Sequence, residues 1–268
     1  MAFALDHVVI AVSDLEAAVA DYRALGFTVV AGGSHPGRTS HNALVVFEDG
    51  SYLELIAWKS PNPAERWCVE HEKHGEGLMD FALLPEDTAA AIAAAKGRGL
   101  ALNGPIEGGR KRPDGVEIQW QTGRQLTFDL PFLCGDVTPR ALRVPGGEVR
   151  RHENGVTGIA TVSVAVRDLD ESMARYRAFV GGEGAVEASC TVAAAGLRTA
   201  VVRLGGADIL LASPDGESGD AALAKRVRER LATRGEGPVS MTLRLSPGAT
   251  SIAFEPGRTH RVPMDTAS

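Results

Sequence analysis

Cysteine is scarce: Cys68, Cys134 and Cys190 are the three in 268 residues. They are odd in number, far apart and never in a CxxC pair. That excludes a disulfide framework and a zinc ribbon, and fits reduced thiols in a cytoplasm. No apolar run is long enough to span a bilayer. The N-terminus has neither a positive n-region nor a small-residue cleavage site, so no secretory signal is expected. An excess of basic charge is also missing, with 28 Lys and Arg against 34 Asp and Glu and a formal net charge of −6. A nucleic-acid or membrane surface is therefore not expected, and a cytoplasmic protein is. There is no Ser/Cys–His–Asp order, no GxGxxG after a strand and no P-loop. What is present is 44% hydrophobic residues, enough for one large core or two ordinary ones.

The stretch LDHVVIAVSDLEAAVADYRALGF opens with a strand-like run and turns helical after Asp14, an N-cap residue. Leu15, Ala18, Val19, Tyr22 and Leu25 follow helical spacing until Gly26 closes it. FTVVAGG, HNALVVFEDG and SYLELIAW follow as strands, giving the order βαβββ. The same grammar returns in VSVAVRDLDESMARYRAFVGG, with Asp168 on Asp14 and Tyr176 on Tyr22. A further echo lays Arg234-Gly235-Glu236-Gly237 on His74-Gly75-Glu76-Gly77. Each half splits again: laying Gly99 on Gly26 puts Asp87 on Asp14 and Asp80 on His7. After VSMTLRL no helical pattern follows. The expected fold is α+β, with four βαβββ-type modules, the fourth truncated, paired into two curved mixed-sheet domains. Expected bounds are 1–138, a Pro-, Gly- and charge-rich linker over 139–157, and a degenerate second domain over 158–268.

Paired modules, the Asp-Leu helix opening, and the motifs DHVVIAV and GSYLELIAW together resemble the vicinal oxygen chelate superfamily, and within it the glyoxalase-like domain proteins. The resemblance covers nearly the whole chain and is weakest after Ser246. Its members include glyoxalases, epimerases, extradiol dioxygenases and metal-free resistance proteins. It implies a divalent metal (Fe, Mn, Ni, Co or Zn) on His7 and Glu54, with Asp80 as a third ligand or as a hydrogen-bonding Asp of the strand. Neutral imidazole and carboxylate suit those ions, and open positions would chelate vicinal oxygens. A strand His is also commonly structural. Glu54, between Leu53 and Leu55, must be paired, metal-bound or turned outward. The last strand of the second module offers Thr127 or Phe132 at the ligand position, depending on alignment, and neither is a good ligand. In the second half the positions fall on Thr161, Leu210 and Ser240, so that half is expected to cover sheet edges or one wall of the cleft, and ring cleavage is disfavoured.

In GGSHPGRTSHNALV, the residues Arg38, His41 and Asn42 are candidate substrate contacts, with His35 beside them. Arg110 of EGGRKRPDG joins them from a loop. Solvated hairpins are the plain alternative. Two functions follow. One is a metal-dependent lyase or isomerase on a small oxygenated molecule, with Glu54 moving the proton. The other is a metal-free small-molecule binding protein of the bleomycin-resistance type. A homodimer is compatible with either.

Overall fold

The computed structural model describes residues 3–182, 184–216 and 221–267. The first module supplies β1 (Ala4–Ala11), α1 (Leu15–Ala24), β2 (Val30–Ser34), β3 (Ser40–Val46) and β4 (Tyr52–Trp58). After α2 (Arg66–His74), the second module runs β5 (Gly77–Leu84), α3 (Thr88–Gly97), β6 (Asn103–Lys111), β7 (Glu117–Arg124) and β8 (Phe132–Asp136). These eight strands close into a barrel in the order β1-β4-β3-β2-β6-β7-β8-β5.

A short helix, α4 (Arg140–Arg143), and a 3₁₀ turn over Gly147–Arg150 lead to the second half. That half has β9 (Val156–Ala165), α5 (Leu169–Val180), β10 (Cys190–Val192), β11 (Leu197–Arg203), β12 (Asp208–Pro214), α6 (Ala222–Thr233), β13 (Gly237–Leu245) and β14 (Met264–Ala267). It forms a six-stranded sheet in the order β10-β11-β12-β9-β13-β14. The α+β class and the paired modules stand as expected, and the fourth module keeps only β13 and β14. Among the described residues no helix is long and apolar enough to cross a membrane.

The repeated helix openings have a local cause. Asp14 accepts from the backbone N–H groups of Glu16 and Ala17, Asp87 from Ala90, and Asp168 from Glu171, each satisfying donors that a helix start leaves unpaired. Strand alternation then sorts the side chains. Val8, Ile10, Leu53 and Leu55 face outward into a core shared with Ala18, Tyr22, Val162, Tyr176 and Met241, which joins the two halves. Val9, Ala11, Ile56, Ala82, Phe132 and Cys134 face the barrel interior.

One expectation is corrected here. The stretch around Arg110 is strand β6 rather than a loop, and Arg110 is 4% exposed. Of the two alignments offered for the last strand of the second module, the structure follows the one that places Phe132 there.

Candidate functional site

His7 comes from β1, Glu54 from β4 and Asn42 from β3, three neighbouring strands of the barrel. The β1–β5 pairing skips Asp6, since Leu5 lies opposite Leu83 and His7 opposite Ala82. This bulge seats Asp6 and His7 side by side, both buried. His7 Nδ1 donates to Asp6 Oδ2 at 2.6 Å, and Nε2 lies 3.6 Å from Glu54 Oε2. The imidazole is stacked on Tyr52 and meets Phe132 edge-on, so its orientation is held on three sides. Glu54 is 6% exposed; its Oε1 accepts from Asn42 Nδ2 at 2.5 Å and lies 4.0 Å from His35 Nε2. His35 is anchored through Nδ1 to the Ser40 carbonyl at 3.3 Å. Burial lowers its pKa, so a neutral ring faces the cavity.

Asp6 belongs to a second layer. Arg143, 2% exposed, donates to both Asp6 oxygens at 2.7 and 3.0 Å, to Tyr52 OH at 2.8 Å and to Asp136 at 2.5 Å. Arg140 adds a bond to Asp6 Oδ1 at 2.6 Å. Burial alone would raise the Asp6 pKa, but Arg143 and His7 hold the carboxyl far below its usual range. The helix carrying both arginines lies in the stretch read from sequence as a linker.

These groups open onto a cavity with about 690 Å³ of empty space including its mouth, lined by residues from 7 to 143. Among the described residues the second half contributes no lining side chain and instead buttresses the barrel from outside. Trp67, Trp120, Tyr52 and Phe132 give the cavity aromatic walls, and Arg38, Arg110 and Arg124 give it positive charge. Arg110 donates to Asn42 Oδ1 at 3.3 Å and to the Arg143 carbonyl at 2.7 Å. Its Nε and that of Arg124 are buried without a partner. None of the three cationic side chains has a carboxylate within 4.0 Å among the described residues.

Of the residues singled out from sequence, His7, Glu54, Arg38, Asn42 and Arg110 line one cavity. Asp80 is not among the lining residues. It is buried, accepts from Trp67 Nε1 at 3.0 Å and from Arg66 at 3.4 Å, and desolvation raises its pKa. His41 precedes Asn42 on β3 and is also absent from the lining; alternation turns it to the outer face. Sequence reasoning did not single out Tyr52, Trp67, Trp120, Arg124 or Arg143. Only Trp67 and Trp120 carried a signal, as large amphipathic rings in otherwise polar stretches.

The donor set for a resident metal is sparse: His7 and Glu54 offer two ligand atoms 3.6 Å apart, and His35 Nε2, 4.0 Å from Glu54 Oε1, is a third donor in the cavity. Among the described residues, Asp6, His7 and Cys134 do place donor atoms within 4.8 Å of one another. Yet Asp6 is neutralised by two arginines, and burial pushes the Cys134 thiol up to about 12, so it offers no thiolate.

Comparison with known proteins agrees with the fold. No curated protein matches the chain. Among solved structures, a hypothetical protein from Staphylococcus aureus is 14% identical with a TM-score of 0.69, covering 99% of this chain and 100% of that one. A variant of 4-hydroxymandelate synthase from Streptomyces coelicolor is 16% identical with a TM-score of 0.62, over 91% of this chain and 71% of that one. A xylose isomerase-like TIM barrel/4-hydroxyphenylpyruvate dioxygenase fusion protein is 18% identical with a TM-score of 0.55, over 92% of this chain and 38% of that one. The model of the glyoxalase-like domain matches residues 5–180, more than half of the sequence, and the chain belongs to that family within the vicinal oxygen chelate superfamily.

Proposed function

We propose that the barrel binds a small, oxygenated, anionic molecule without a resident metal and exchanges a proton with it. The observation that carries this reading is the set of lining arginines, Arg38, Arg110 and Arg124, with no carboxylate partner. Arg110 is buried and Arg124 half-buried, where a cation left unpaired is costly, whereas Arg38 is exposed; an anionic ligand would supply the missing charge. Arg110 and Arg124 would take the anionic group through their planar forks while Trp67 and Trp120 pack the carbon frame. Glu54, steadied by Asn42, is then the proton acceptor. His7 is oriented by Asp6 and presents Nε2 beside it as the second group able to hold the proton. This chemistry serves a lyase or an isomerase; binding without turnover is the same cavity used for sequestration.

A second reading, the metal-dependent one, is favoured by one geometric detail. His7 Nε2 and Glu54 Oε2 face each other at 3.6 Å, as a divalent cation would join them.

One set of measurements separates the two. Purified chain analysed by metal mass spectrometry is expected to carry well below stoichiometric Fe, Mn, Ni, Co or Zn. Calorimetric titration with small α-keto and α-hydroxy carboxylates is expected to give saturable binding that Arg110→Gln weakens by about tenfold or more. Solvent deuterium uptake at the hydrogen-bearing carbon next to the ligand's carbonyl should vanish in Glu54→Gln while binding persists. Stoichiometric metal lost in Glu54→Ala, or binding indifferent to Arg110, would sink the proposal.

A further inference from the structure

Where the two halves meet, a second cavity of about 960 Å³ of empty space opens to solvent. It lies on the sequence echo itself, between the end of α2 with His74-Gly75-Glu76-Gly77 and the end of α6 with Arg234-Gly235-Glu236-Gly237. Its lining includes Arg226, Arg230, Arg234, Arg261 and Lys73, against two carboxylates, Glu76 and Glu229. Glu76 is already engaged, accepting from the Ser13 N–H at 2.7 Å and lying 3.2 Å from His260 Nδ1. Arg226 has Asp265 at 3.5 Å and Lys73 has Glu70 at 3.6 Å. Arg230, Arg234 and Arg261 have no carboxylate within 4.0 Å among the described residues.

The bonds these arginines make do not cancel their charge. Arg230 crosses the seam to the Leu78 carbonyl at 3.2 Å and reaches the Glu236 carbonyl at 3.4 Å, and its Nε is buried without a partner. Arg234 donates to the carbonyls of His74 at 2.6 Å and Glu76 at 2.8 Å. Carbonyls satisfy a donor but leave a full positive charge, and the two helix ends supply only about half a negative charge each. The three guanidiniums repel one another. Burial, and then Arg234, draws the Arg230 pKa down to about 10, while burial and Arg261 lower that of Arg234. The backbone also spends energy here, with His260 at φ 52° and Arg261 at φ 62°, two consecutive non-glycine residues in the left-handed region. That conformation is unfavourable for any residue with a Cβ. It carries the Arg261 guanidinium over Gly75, where a Cβ would sit 3.7 Å from Nη1.

We infer that this seam is an oxyanion site that takes a phosphate group, free or as a monoester, on Arg230, Arg234 and Arg261. A phosphate brings close to two negative charges and three acceptor oxygens, which suits forks arriving from separate segments better than a single carboxylate does. Because its ligating groups come from the end of α6 and from the stretch before β14, and rest on the end of α2, an occupied site ties the second half to the first and stabilises the chain by mass action.

The test is calorimetric titration of the full chain with inorganic phosphate and with glycerol phosphate, each against chloride at equal ionic strength, beside the same titration of Arg110→Gln, in which the barrel's own anion binding is weakened. Saturable binding that Arg261→Gln weakens by about tenfold or more is expected. The Arg261 side chain makes no hydrogen bond to the described residues, so that variant keeps its fold. Tighter binding of the ester assigns the site to a phosphomonoester, and equal or weaker binding to free phosphate. Heats no larger than those of chloride, or binding unchanged in Arg261→Gln, would overturn the inference.

Discussion

Replacing Arg143 by alanine is expected to destabilise the protein by about 3–5 kcal/mol, the cost of stranding a buried charge by removing its partner. Arg143 is 2% exposed and Asp6 is fully buried, with two bonds between them and further bonds from Arg143 to Tyr52 and Asp136. Arg140 would remain on Asp6, but from one side and from a partly exposed position. The loss should depend on pH with a definite sign. In the native protein Asp6 titrates below its ordinary value of 3.8, so its contribution is present above that value and is lost as acid protonates the unfolded chain first. Without Arg143, burial dominates and raises the carboxyl above its unfolded value; the penalty is then full at neutral pH and shrinks in acid. Urea unfolding at about pH 7 and about pH 4.5 reads both effects, and the deficit should be smaller at the lower pH. A deficit below about 1 kcal/mol at neutral pH would place this cluster with ordinary surface ion pairs.

Arg124→Met should move stability and binding in opposite directions. The Arg124 side chain makes no hydrogen bond to the described residues, its Nε is buried without a partner, and burial lowers its pKa. Methionine keeps the length and flexibility while removing an uncompensated cation, so the empty protein should gain about 1 kcal/mol. The same change removes a charged donor from the ligand, and anion affinity should fall roughly 10- to 100-fold. Such opposed signs mark a residue kept for binding at the expense of the fold. Arg110 differs because it satisfies Asn42 and the Arg143 carbonyl, so its loss carries a structural cost as well. Thermal unfolding without ligand, beside titration with small carboxylates, checks the pair. A fall in both would make Arg124 structural and remove one leg of the proposed function.

What was legible in the sequence was local. An aspartate before a helical run caps it whatever the distant context, so Asp14, Asp87 and Asp168 disclosed the module repeat. Glu54 between Leu53 and Leu55 stood out as a carboxylate that had to be paired, metal-bound or turned outward, and the resemblance placed it inward, where the structure has it with both leucines on the outer core. The remainder depended on matters that local pattern does not encode. His41 and Asn42 are adjacent on one strand, and only the closure of the barrel decides which faces in. Asp80 aligned with His7 at a constant spacing, but β5 carries a register slip, with Leu78 opposite Ile10 and Asp80 opposite Val9. Gly108 falls in the stretch read as a loop but sits in a strand to leave room, since a Cβ there would fall 2.4 Å from Trp120 Nε1, as one at Gly32 would fall 2.0 Å from Asn42 Oδ1. The hold of Arg143 on Asp6 spans 137 residues and left no sequence signature.

The barrel is a ring whose two joins between modules are unequal. β1 and β5 are stitched from Ala4 opposite Leu84 to Ala11 opposite Gly77, whereas β2 and β6 meet only where Ser34 lies opposite Lys111. One join is a spine and the other a clasp, and thermal fluctuation spends itself at the clasp first. His35 and Arg110 flank that clasp in sequence and also line the cavity. A molecule passing in or out therefore meets the loosest part of the wall beside the groups that would hold it. Amide exchange at Ser34 and Lys111, faster than along the spine, is the expected trace of that breathing.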